Sequence, residues 1–432
     1  MKKLFSIILC VAMIFSLAAC TPNTPTSTPT PAATSDQPQT QEPAAVPNSQ
    51  GVTDTEILIG NCAATSGAFG PVGIPYIFGL EAYIKMINEQ GGVNGRTITF
   101  IHYDDEMNPE KGKASYDKLI NDDKVFAIVG CFGTPVVGAV VPDFKEVGIP
   151  AVYFATGMSM LFNENATGAD RVIYPVQPIY TTEGILFAAW AQGTFDASKV
   201  GIIYSGDDAG KGMYDGLNKK CAELGLELFA EQVPFGAEDV SAAVTKILSQ
   251  SPDVVVIASM QNTFLTIGKE LGKQGNTAPV LTSYVNNGPT YFSQFADDIK
   301  GKYEIYSPGW VDISKGGDET VQMAKYINEL SPNEDYSNSP YAMSGWIAAK
   351  FFVEGLRRVG DDPITWENFM DALEESPIEM GFGSGSMIDY SDGKRYGTER
   401  LALFRSDMAF EGAVEMYRDF MTVDEILAAE NN

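Results

Sequence analysis

The sequence predicts an α/β protein with two doubly wound parallel-sheet lobes. From residue 55 onward, short β-rich runs alternate with amphipathic runs of helical period, in the order strand, helix, strand, helix. A second series of the same kind starts near residue 181. The stretch from residue 51 to the end, about 380 residues, also exceeds what one hydrophobic core usually supports, so we expect two lobes.

The first series supplies the elements of one lobe. Strands are expected at residues 56–60, 96–103, 125–130 and 149–154, and helices between them at 74–90, 109–121 and 135–147. Strands that are joined by helices in this order run parallel, and the helices cover both faces of the sheet.

The second series supplies the other lobe and a closing segment. Its strands are expected at 199–204, 226–233, 253–258 and 279–284, and its helices start at 181, 210, 240 and 262. Helices at 318–330, 340–359 and 365–374 follow, with strands at 386–390 and 400–404. The mixed type of these late elements indicates that the chain recrosses between the lobes.

The first twenty residues have the layout of a secretory signal. Lys2 and Lys3 precede an apolar run at 4–17, and small residues then lead to Cys20. The run is too short for a membrane span. Its ending, Leu-Ala-Ala-Cys, resembles the bacterial lipoprotein signal, in which the cysteine receives a diacylglyceryl group and becomes the first mature residue. Two acyl chains together anchor a protein stably. The alternative is an ordinary signal peptide with an unrelated cysteine.

Residues 21–50 are predicted to be a disordered tether. They hold seven Pro and seven Thr and almost no large apolar residue, so they cannot build a core. Pro-rich chain favours the extended polyproline conformation and acts as a spacer. The folded part is expected to begin near Gly51.

Net charge and cysteine content exclude several classes of protein. The formal net charge of −27 argues against nucleic acid as a partner and against adhesion to anionic lipids, because both need a basic surface. Cys62, Cys131 and Cys221 make no disulfide framework. We expect buried, unpaired thiols; a pairing of Cys62 with Cys131 at neighbouring strand ends is the alternative.

Ligands bind open α/β sheets at the carboxyl ends of the strands, so the loops there are the candidate sites. In the loop at 131–135, Thr134 is predicted to be the helix N-cap and Pro135 the first helical residue. The free amides of the first turn and the hydroxyl beside them favour a carboxylate. The alternative is that Thr134 only caps its own helix.

Two further loops follow predicted strands of the first lobe. The small residues Ala155, Thr156 and Gly157 let backbone groups approach a ligand closely, although an ordinary tight turn explains them as well. In the loop at 65–70, Phe69 is available as an apolar wall, with core burial as the alternative.

Several stretches resemble one known family, the extracellular binding proteins of branched-chain amino-acid ABC transporters, which have the type I periplasmic-binding fold. The likeness runs from about residue 54 to the end. Its most specific part is Asn-Glu-x-Gly-Gly-x-x-Gly at 88–95 with Tyr-Asp-Asp at 103–105. The other matching stretches are 57–60, 65–67, 148–150, 154–157, 180–183 and 201–204.

The resemblance implies two lobes joined by a three-crossing hinge, with a ligand cleft between them. We place the first lobe at 51–176 plus 308–390 and the second at 177–307 plus 391–432. By the family's pattern, the Thr134 hydroxyl holds a ligand carboxylate and the Ala155 carbonyl meets a ligand ammonium. Thr156 or Gly157 assists both groups, and Phe69 and Tyr76 are further wall candidates.

The second lobe departs from the pattern of the family's amino-acid binders. Tyr284 stands where those binders carry an acid for the ammonium, and a tyrosine supplies no charge at pH 7. Ala209 and Met260 stand where they carry aromatic walls. Glu183, Asp207 or Asp208, at predicted helix starts, are the candidates for the missing acid; each could instead be a helix-dipole partner that faces water. The sequence therefore leaves the identity of the ligand open.

Catalytic motifs are weak throughout the chain. The single histidine, His102, lies inside a predicted strand, and no Gly-x-Ser-x-Gly motif occurs. The loop at 206–212 is one residue short of a phosphate loop, and Gly212 replaces the required Ser or Thr. The glycine-rich 381–386 lacks the dinucleotide pattern. No Cys or His cluster has metal-ligand spacing, so we expect neither an enzyme nor a bound metal or cofactor.

These observations together predict a lipid-anchored, monomeric solute receptor outside the cytoplasmic membrane. It is expected to capture a small polar molecule, an amino acid or a related carboxylate, and to leave it unchanged. The resemblance implies ABC permease and ATPase subunits as partners, with the permease contacted directly. Two alternatives remain: a ligand sensor that feeds a signalling partner, and a hydrolase on the same scaffold.

Overall fold

The computed structural model describes residues 48–313, 317–336, 339–407 and 413–430. The predicted signal segment with Cys20, and tether residues 21–47, lie outside these ranges. Among the described residues, no helix combines the length and the apolar character needed to cross a membrane.

The first sheet has five parallel strands, which confirms the predicted parallel order of the first lobe. Its strand order is β2-β1-β3-β4-β5, the doubly wound arrangement in which the order reverses beside β1. The strands are β1 (Glu56–Ala63), β2 (Thr97–Asp104), β3 (Ala127–Phe132), β4 (Ala151–Ala155) and β5 (Ile173–Tyr174).

The second sheet has seven strands in the order β14-β13-β10-β9-β8-β6-β7. The five strands from β10 to β7 in that order are parallel, and β13 and β14 add antiparallel at one edge. Its strands are β6 (Lys199–Ser205), β7 (Glu227–Val233), β8 (Val254–Ala258), β9 (Val280–Thr282), β10 (Ile305–Gly309), β13 (Arg400–Asp407) and β14 (Ala413–Thr422), and a separate pair is formed by β11 (Ile378–Glu379) and β12 (Met387–Ile388).

Helices cover both sheets, as the alternating pattern predicts. The central strands β3 and β8 are buried along their whole length, which is the burial expected of strands covered on both faces. The helices are α1 (Gly70–Glu89), α2 (Pro109–Asn121), α3 (Thr134–Val147), α4 (Tyr180–Gly193), α5 (Asp208–Leu224), α6 (Ser241–Ser249), α7 (Gln261–Lys273), α8 (Pro289–Phe292), α9 (Ala296–Ile299), α10 (Asp318–Leu330), α11 (Pro340–Val359), α12 (Trp366–Glu374) and α13 (Val423–Glu430).

The chain passes three times between the two lobes. It leaves the first sheet after β5 and enters the second lobe at α4. After β10 it returns, because α10 and α11 pack against α1 and α11 also contacts β3 and β4. It then crosses again to reach β13 in the second sheet. The residue limits that we assign to the lobes stay a prediction.

Two glycines bring α1 and α11 into close contact. A Cβ on Gly79 would lie 1.9 Å from the Ala342 carbonyl oxygen, and one on Gly345 would lie 1.9 Å from the Tyr76 carbonyl oxygen. Only glycine permits this approach of the two backbones. The contact matters for function because α11 and α1 both reach the cleft between the lobes.

Candidate functional site

A cleft lies between the lobes at the carboxyl ends of the strands of both sheets. It has about 720 Å³ of empty space, a figure that includes open solvent at its mouth. The lining residues are Phe69, Tyr76, Met107, Phe132, Gly133, Thr134, Pro135, Ala155, Gln177, Tyr180, Asp207, Phe235, Met260, Gln261, Tyr284, Val285, Trp310, Pro340, Tyr341 and Ser344.

The start of α3 brings the Thr134 side chain to this cleft. Gly133 is the N-cap, with φ at +86°, and α3 begins at Thr134. The prediction that Thr134 is the N-cap is therefore wrong by one residue, because glycine alone adopts this turn readily. The alternative that Thr134 merely caps its own helix also fails: its Oγ1 lies 2.8 Å from Oγ1 of Thr156 and makes no cap hydrogen bond.

A line of hydroxyl groups connects the first lobe to the second across the cleft. Beyond the Thr134 contact, the Thr156 hydroxyl donates to the Tyr180 oxygen at 3.4 Å, and the Tyr180 hydroxyl lies 3.8 Å from the Met260 sulfur. Hydroxyl groups both donate and accept, so those of Thr134 and Tyr180, which line the cleft, can turn a proton toward a ligand. The cleft floor thus offers neutral donors without a fixed charge.

A buried carboxyl group anchors the backbone at Tyr284. The Glu183 carboxyl oxygens accept hydrogen bonds from the Tyr284 backbone N–H at 2.8 Å and from the Ser283 hydroxyl at 2.9 Å. Glu183 is completely buried, and burial raises its pKa to about 8 against the lowering effect of these two donors. The Tyr284 hydroxyl in turn donates to the Gln177 side-chain oxygen at 3.1 Å.

Gln177 lies on the first crossing between the lobes and links their aromatic walls. Its side-chain amide donates to the Tyr153 hydroxyl at 2.7 Å while its oxygen accepts from Tyr284. The Tyr284 ring stacks on the Tyr180 ring with centroids 6.0 Å apart and meets the Trp310 ring edge-on at 6.4 Å. These contacts fix the rings as a rigid wall.

Two phenylalanines from opposite lobes meet at the cleft lining. Phe69 precedes α1 and Phe235 follows β7, and their rings stack nearly parallel with centroids 6.2 Å apart. Phe235 is 42% exposed, so this pair lies at the solvent-facing side of the cleft. A second contact between the lobes is made by the Tyr341 hydroxyl, which donates to the Val285 carbonyl at 2.8 Å.

The loop after β2 brings Met107 into the lining. Glu106 and Met107 both have positive φ, and Asp105 holds this turn by accepting from the Met107 backbone N–H at 2.8 Å. Burial raises the pKa of Asp105 to about 7. A Cβ on Gly133 would lie 2.3 Å from the Met107 sulfur, so the side chain packs directly on the turn before α3.

The structure divides the ten predicted binding residues into two sets. Six of them line the cleft: Phe69, Tyr76, Thr134, Ala155, Met260 and Tyr284. The four others, Thr156, Gly157, Glu183 and Asp208, lie behind or beside the lining.

These four residues have other roles in the structure. Thr156 and Glu183 are buried and support residues that do line the cleft. Gly157 allows the close approach of α4: a Cβ there would lie 2.3 Å from the Pro178 carbonyl oxygen, and its own carbonyl accepts from the Tyr180 N–H. Asp208 is exposed in the first turn of α5.

Asp207 lines the cleft, and its carboxylate is engaged by its own helix. One carboxylate oxygen accepts from the Gly210 backbone N–H at 3.1 Å and from the Ser205 hydroxyl at 2.5 Å, so the residue is the N-cap of α5. It is half-exposed. Ala209, one residue later, is buried and lies outside the lining.

Sequence analysis missed most of the aromatic lining of the second lobe and of the crossings. Tyr180 belongs to the Tyr-Thr-Thr-Glu stretch that carries part of the family resemblance, so a signal was present. Trp310 follows β10 and Tyr341 opens α11, and no local pattern marks either as facing a ligand. Gln177, Phe132 and Phe235 were missed for the same reason.

Other reactive side chains of the described residues lie away from the cleft lining. His102 in β2 contacts the Asn61 side-chain oxygen at 2.9 Å and the Thr65 hydroxyl at 3.1 Å, and burial lowers its pKa to about 4. Cys62, Cys131 and Cys221 are buried free thiols, as predicted. Within the described ranges, no group of three His, Cys, Asp or Glu side chains could hold a metal ion.

Comparison with protein families identifies relatives across the folded part. The profile of the family described as "Periplasmic binding protein" matches residues 56–409. An "Amino acid binding protein" of Pseudomonas aeruginosa is 25% identical over 228 residues, which is 52% of this chain and 60% of that protein. A "Leu/Ile/Val-binding protein homolog 1" of Brucella suis is 26% identical over 353 residues, 79% of this chain and 89% of that protein.

Solved structures share the fold at low sequence identity. A fatty acid ABC transporter substrate-binding protein from Thermomonospora curvata matches with a TM-score of 0.77 and 20% identity, over 89% of this chain and 97% of that one. A branched-chain amino acid ABC transporter protein from Thermus thermophilus, with bound valine, matches with a TM-score of 0.76 and 18% identity, over 88% and 100%. A fatty acid and valine differ in chemistry, so the shared fold does not identify the ligand of this chain.

Proposed function

The chain belongs to the periplasmic binding protein family, whose members are extracytoplasmic substrate-binding proteins, and from that premise we propose that it is the substrate-binding component of an ABC importer for a small carboxylate. The observation that carries the proposal is the cleft, which is lined by residues of both lobes. The Thr134 hydroxyl at the start of α3 borders it from the first lobe, and the Tyr284 ring borders it from the second.

The carboxylate seat is proposed at the first turn of α3. Pro135 has no N–H and the Val137 N–H donates to the Gly133 carbonyl, so the N–H groups of Thr134 and Val136 are the proposed backbone donors. The helix dipole places partial positive charge at this turn. The Thr134 hydroxyl adds one donor, and the Ala155 carbonyl lies beside the same turn, where it accepts from the Gly133 N–H at 3.4 Å. This arrangement holds an anion without a basic residue.

Closure of the lobes on the solute would produce the form that a permease recognises. In the structure, the Phe69 and Phe235 rings and the Tyr341 hydroxyl join the two sides of the cleft. Opening would separate these contacts and admit the solute, by a hinge motion at the three crossings. The membrane subunits then receive the solute when the lobes part.

Binding is tested with the purified full-length protein by isothermal titration and thermal unfolding against amino acids, aliphatic acids, aromatic acids and their amides. A solute at about one hundred times its Kd should raise the stability by about 2.7 kcal/mol. The proposal predicts that at least one carboxylate binds and that its amide binds much more weakly. It fails if no carboxylate in the panel binds, or if carboxylate and amide bind equally.

The transport role and the lipid anchor are tested in cells. Deletion of the gene should reduce uptake of the identified carboxylate, and the Cys20→Ser variant should appear in the soluble extracytoplasmic fraction rather than with membranes. Normal uptake in the deletion strain would contradict the import role. Membrane retention of the Cys20→Ser variant would contradict the anchor.

A further inference from the structure

The cleft lining is unusually rich in aromatic rings for a site that holds a small solute. Eight of its twenty lining residues carry an aromatic ring, and these come from both lobes and from α11. The Tyr76 and Phe132 rings meet at 5.0 Å on the first-lobe side, and the Tyr180 and Tyr284 rings stack at 6.0 Å on the second. Rings held in this way favour a flat, apolar body between them.

The same lining offers a single carboxylate to an ammonium group. Among the cleft-lining residues that the structure describes, Asp207 is the single acid. One Asp207 oxygen already serves as the α5 cap, and its side chain is half-exposed to water. A buried ammonium needs a charged partner or several acceptors, and it is costly to bury without them.

Glu183 does not supply that partner either. Both of its oxygens accept hydrogen bonds, from the Ser283 hydroxyl and the Tyr284 backbone N–H, and the residue lies outside the cleft lining. The side chain is completely buried. Glu183 therefore supports the backbone at Tyr284 and offers no carboxylate to a ligand ammonium.

From these observations we propose that the solute is a small aromatic carboxylate without an ammonium group. This inference rests on the proposed function, because it specifies the carboxylate that the cleft captures. The carboxylate lies at the Thr134 hydroxyl and the first turn of α3, and the aromatic body lies against the Tyr180, Tyr284 and Trp310 rings.

The test compares ligands that differ by one group, with the full-length protein and isothermal titration. 3-Phenylpropanoate and L-phenylalanine differ only in the ammonium, and 3-phenylpropanoate and 4-methylpentanoate differ in the ring. We expect 3-phenylpropanoate to bind at least ten times more tightly than either of the others. Tighter binding of L-phenylalanine or of L-leucine would overturn the inference, and so would tighter binding of 4-methylpentanoate.

The same titrations separate this inference from the proposed function. If none of the aromatic acids binds but another small carboxylate does, and Thr134→Val weakens that binding, the inference is wrong while the carboxylate site stands. If no carboxylate of any kind binds, both fail.

A pair of variants tests the role of the ring wall. Trp310→Leu removes a ring that meets Tyr284 edge-on, and Trp310→Phe keeps an aromatic ring there. We expect Trp310→Leu to weaken 3-phenylpropanoate about five- to tenfold and Trp310→Phe to weaken it less than threefold, with circular dichroism showing that both are folded. Equal affinities in the two variants would contradict the assignment of the ring wall to the ligand's aromatic body.

Discussion

Replacement of Thr134 by valine removes the proposed carboxylate donor while it keeps the shape of the side chain. In the structure Thr134 is nearly buried, and its hydroxyl lies 2.8 Å from the Thr156 hydroxyl and also hydrogen-bonds with the Tyr180 hydroxyl. A hydrogen bond to a charged group is worth about 1.5–3 kcal/mol. Because about 1.4 kcal/mol corresponds to a tenfold change in Kd, Thr134→Val should weaken a carboxylate ligand roughly 10- to 150-fold.

The unliganded protein should tolerate this change much better. Thr156 loses one neutral partner but keeps its contact with the Tyr180 hydroxyl at 3.4 Å, so the free energy of unfolding should fall by about 1 kcal/mol. Isothermal titration measures the affinity, and urea unfolding without ligand measures the stability. The control Thr134→Ser keeps the hydroxyl and should bind within a few-fold of the wild type.

The pattern of the two variants decides the outcome. If the Thr134→Val variant binds the carboxylate weakly and the Thr134→Ser variant binds it nearly normally, the effect is assigned to the hydroxyl. If Thr134→Val binds the carboxylate within threefold of the wild type, the seat at α3 is misplaced. If both variants bind poorly, the hydroxyl donor is not the cause.

Three further changes test the support of the site and of the fold. Glu183 has a pKa of about 8 in the folded protein, above its usual 4.5, so its stabilising effect is complete below pH 4.5 and is lost as pH rises through 8. The wild type should therefore lose on the order of 4 kcal/mol of stability, relative to Glu183→Gln, between pH 4.5 and pH 9 in urea unfolding. The same stability difference between wild type and variant at both pH values would refute this. Glu374→Gln removes the carboxylate oxygen that lies 2.6 Å from the guanidinium of the buried Arg395, and it should cost about 3 kcal/mol of stability. The Asp371 side chain is 60% exposed, so Asp371→Asn should cost less than about 1 kcal/mol. Similar losses for the two variants in urea unfolding would contradict the structure. Gly79→Ala should destabilise the protein by more than about 2 kcal/mol in thermal unfolding, because the new Cβ would overlap the α11 backbone. Gly317 has open space around it, so Gly317→Ala should change the stability by less than about 1 kcal/mol. Equal effects of the two variants would argue against the close contact between α1 and α11.

Local signals in the sequence located many of the elements well. The predicted bounds of α2, α10 and α11 agree with the structure, and α2 and α11 both begin with a proline, which suits the first helical position. Most strands of both lobes were found because the alternation of strand and helix persists over a long stretch of chain.

The missed elements depend on contacts that are distant in sequence. β10 has the sequence Ile-Tyr-Ser-Pro-Gly, whose ending suggests a turn, yet Pro308 pairs with Leu403 in the sheet. β14 carries charged residues at the edge of the second sheet and was not predicted as a strand, and neither were β5, α8, α9 and α13. Their conformation is set by tertiary pairing rather than by local preference.

The candidate site divides in the same way. Thr134 and Ala155 were found because the ends of parallel strands meet at one edge of a sheet. Trp310, Tyr341 and Gln177 reach the cleft from crossings and from α11, whose positions follow from long-range packing. Glu183 was one of the candidates for an acid that meets the ligand, and only the structure shows that it is buried outside the lining and bonded to the Tyr284 backbone.

A crystal structure with bound solute tests the central claim most directly. The protein should be crystallised with the carboxylate that ranks first in the titrations. We expect the solute between the lobes, with a carboxylate oxygen within about 3.2 Å of the Thr134 hydroxyl and its body against the Tyr180 and Tyr284 rings. A solute bound outside the cleft, or inside it with the carboxylate turned away from α3, would contradict the account.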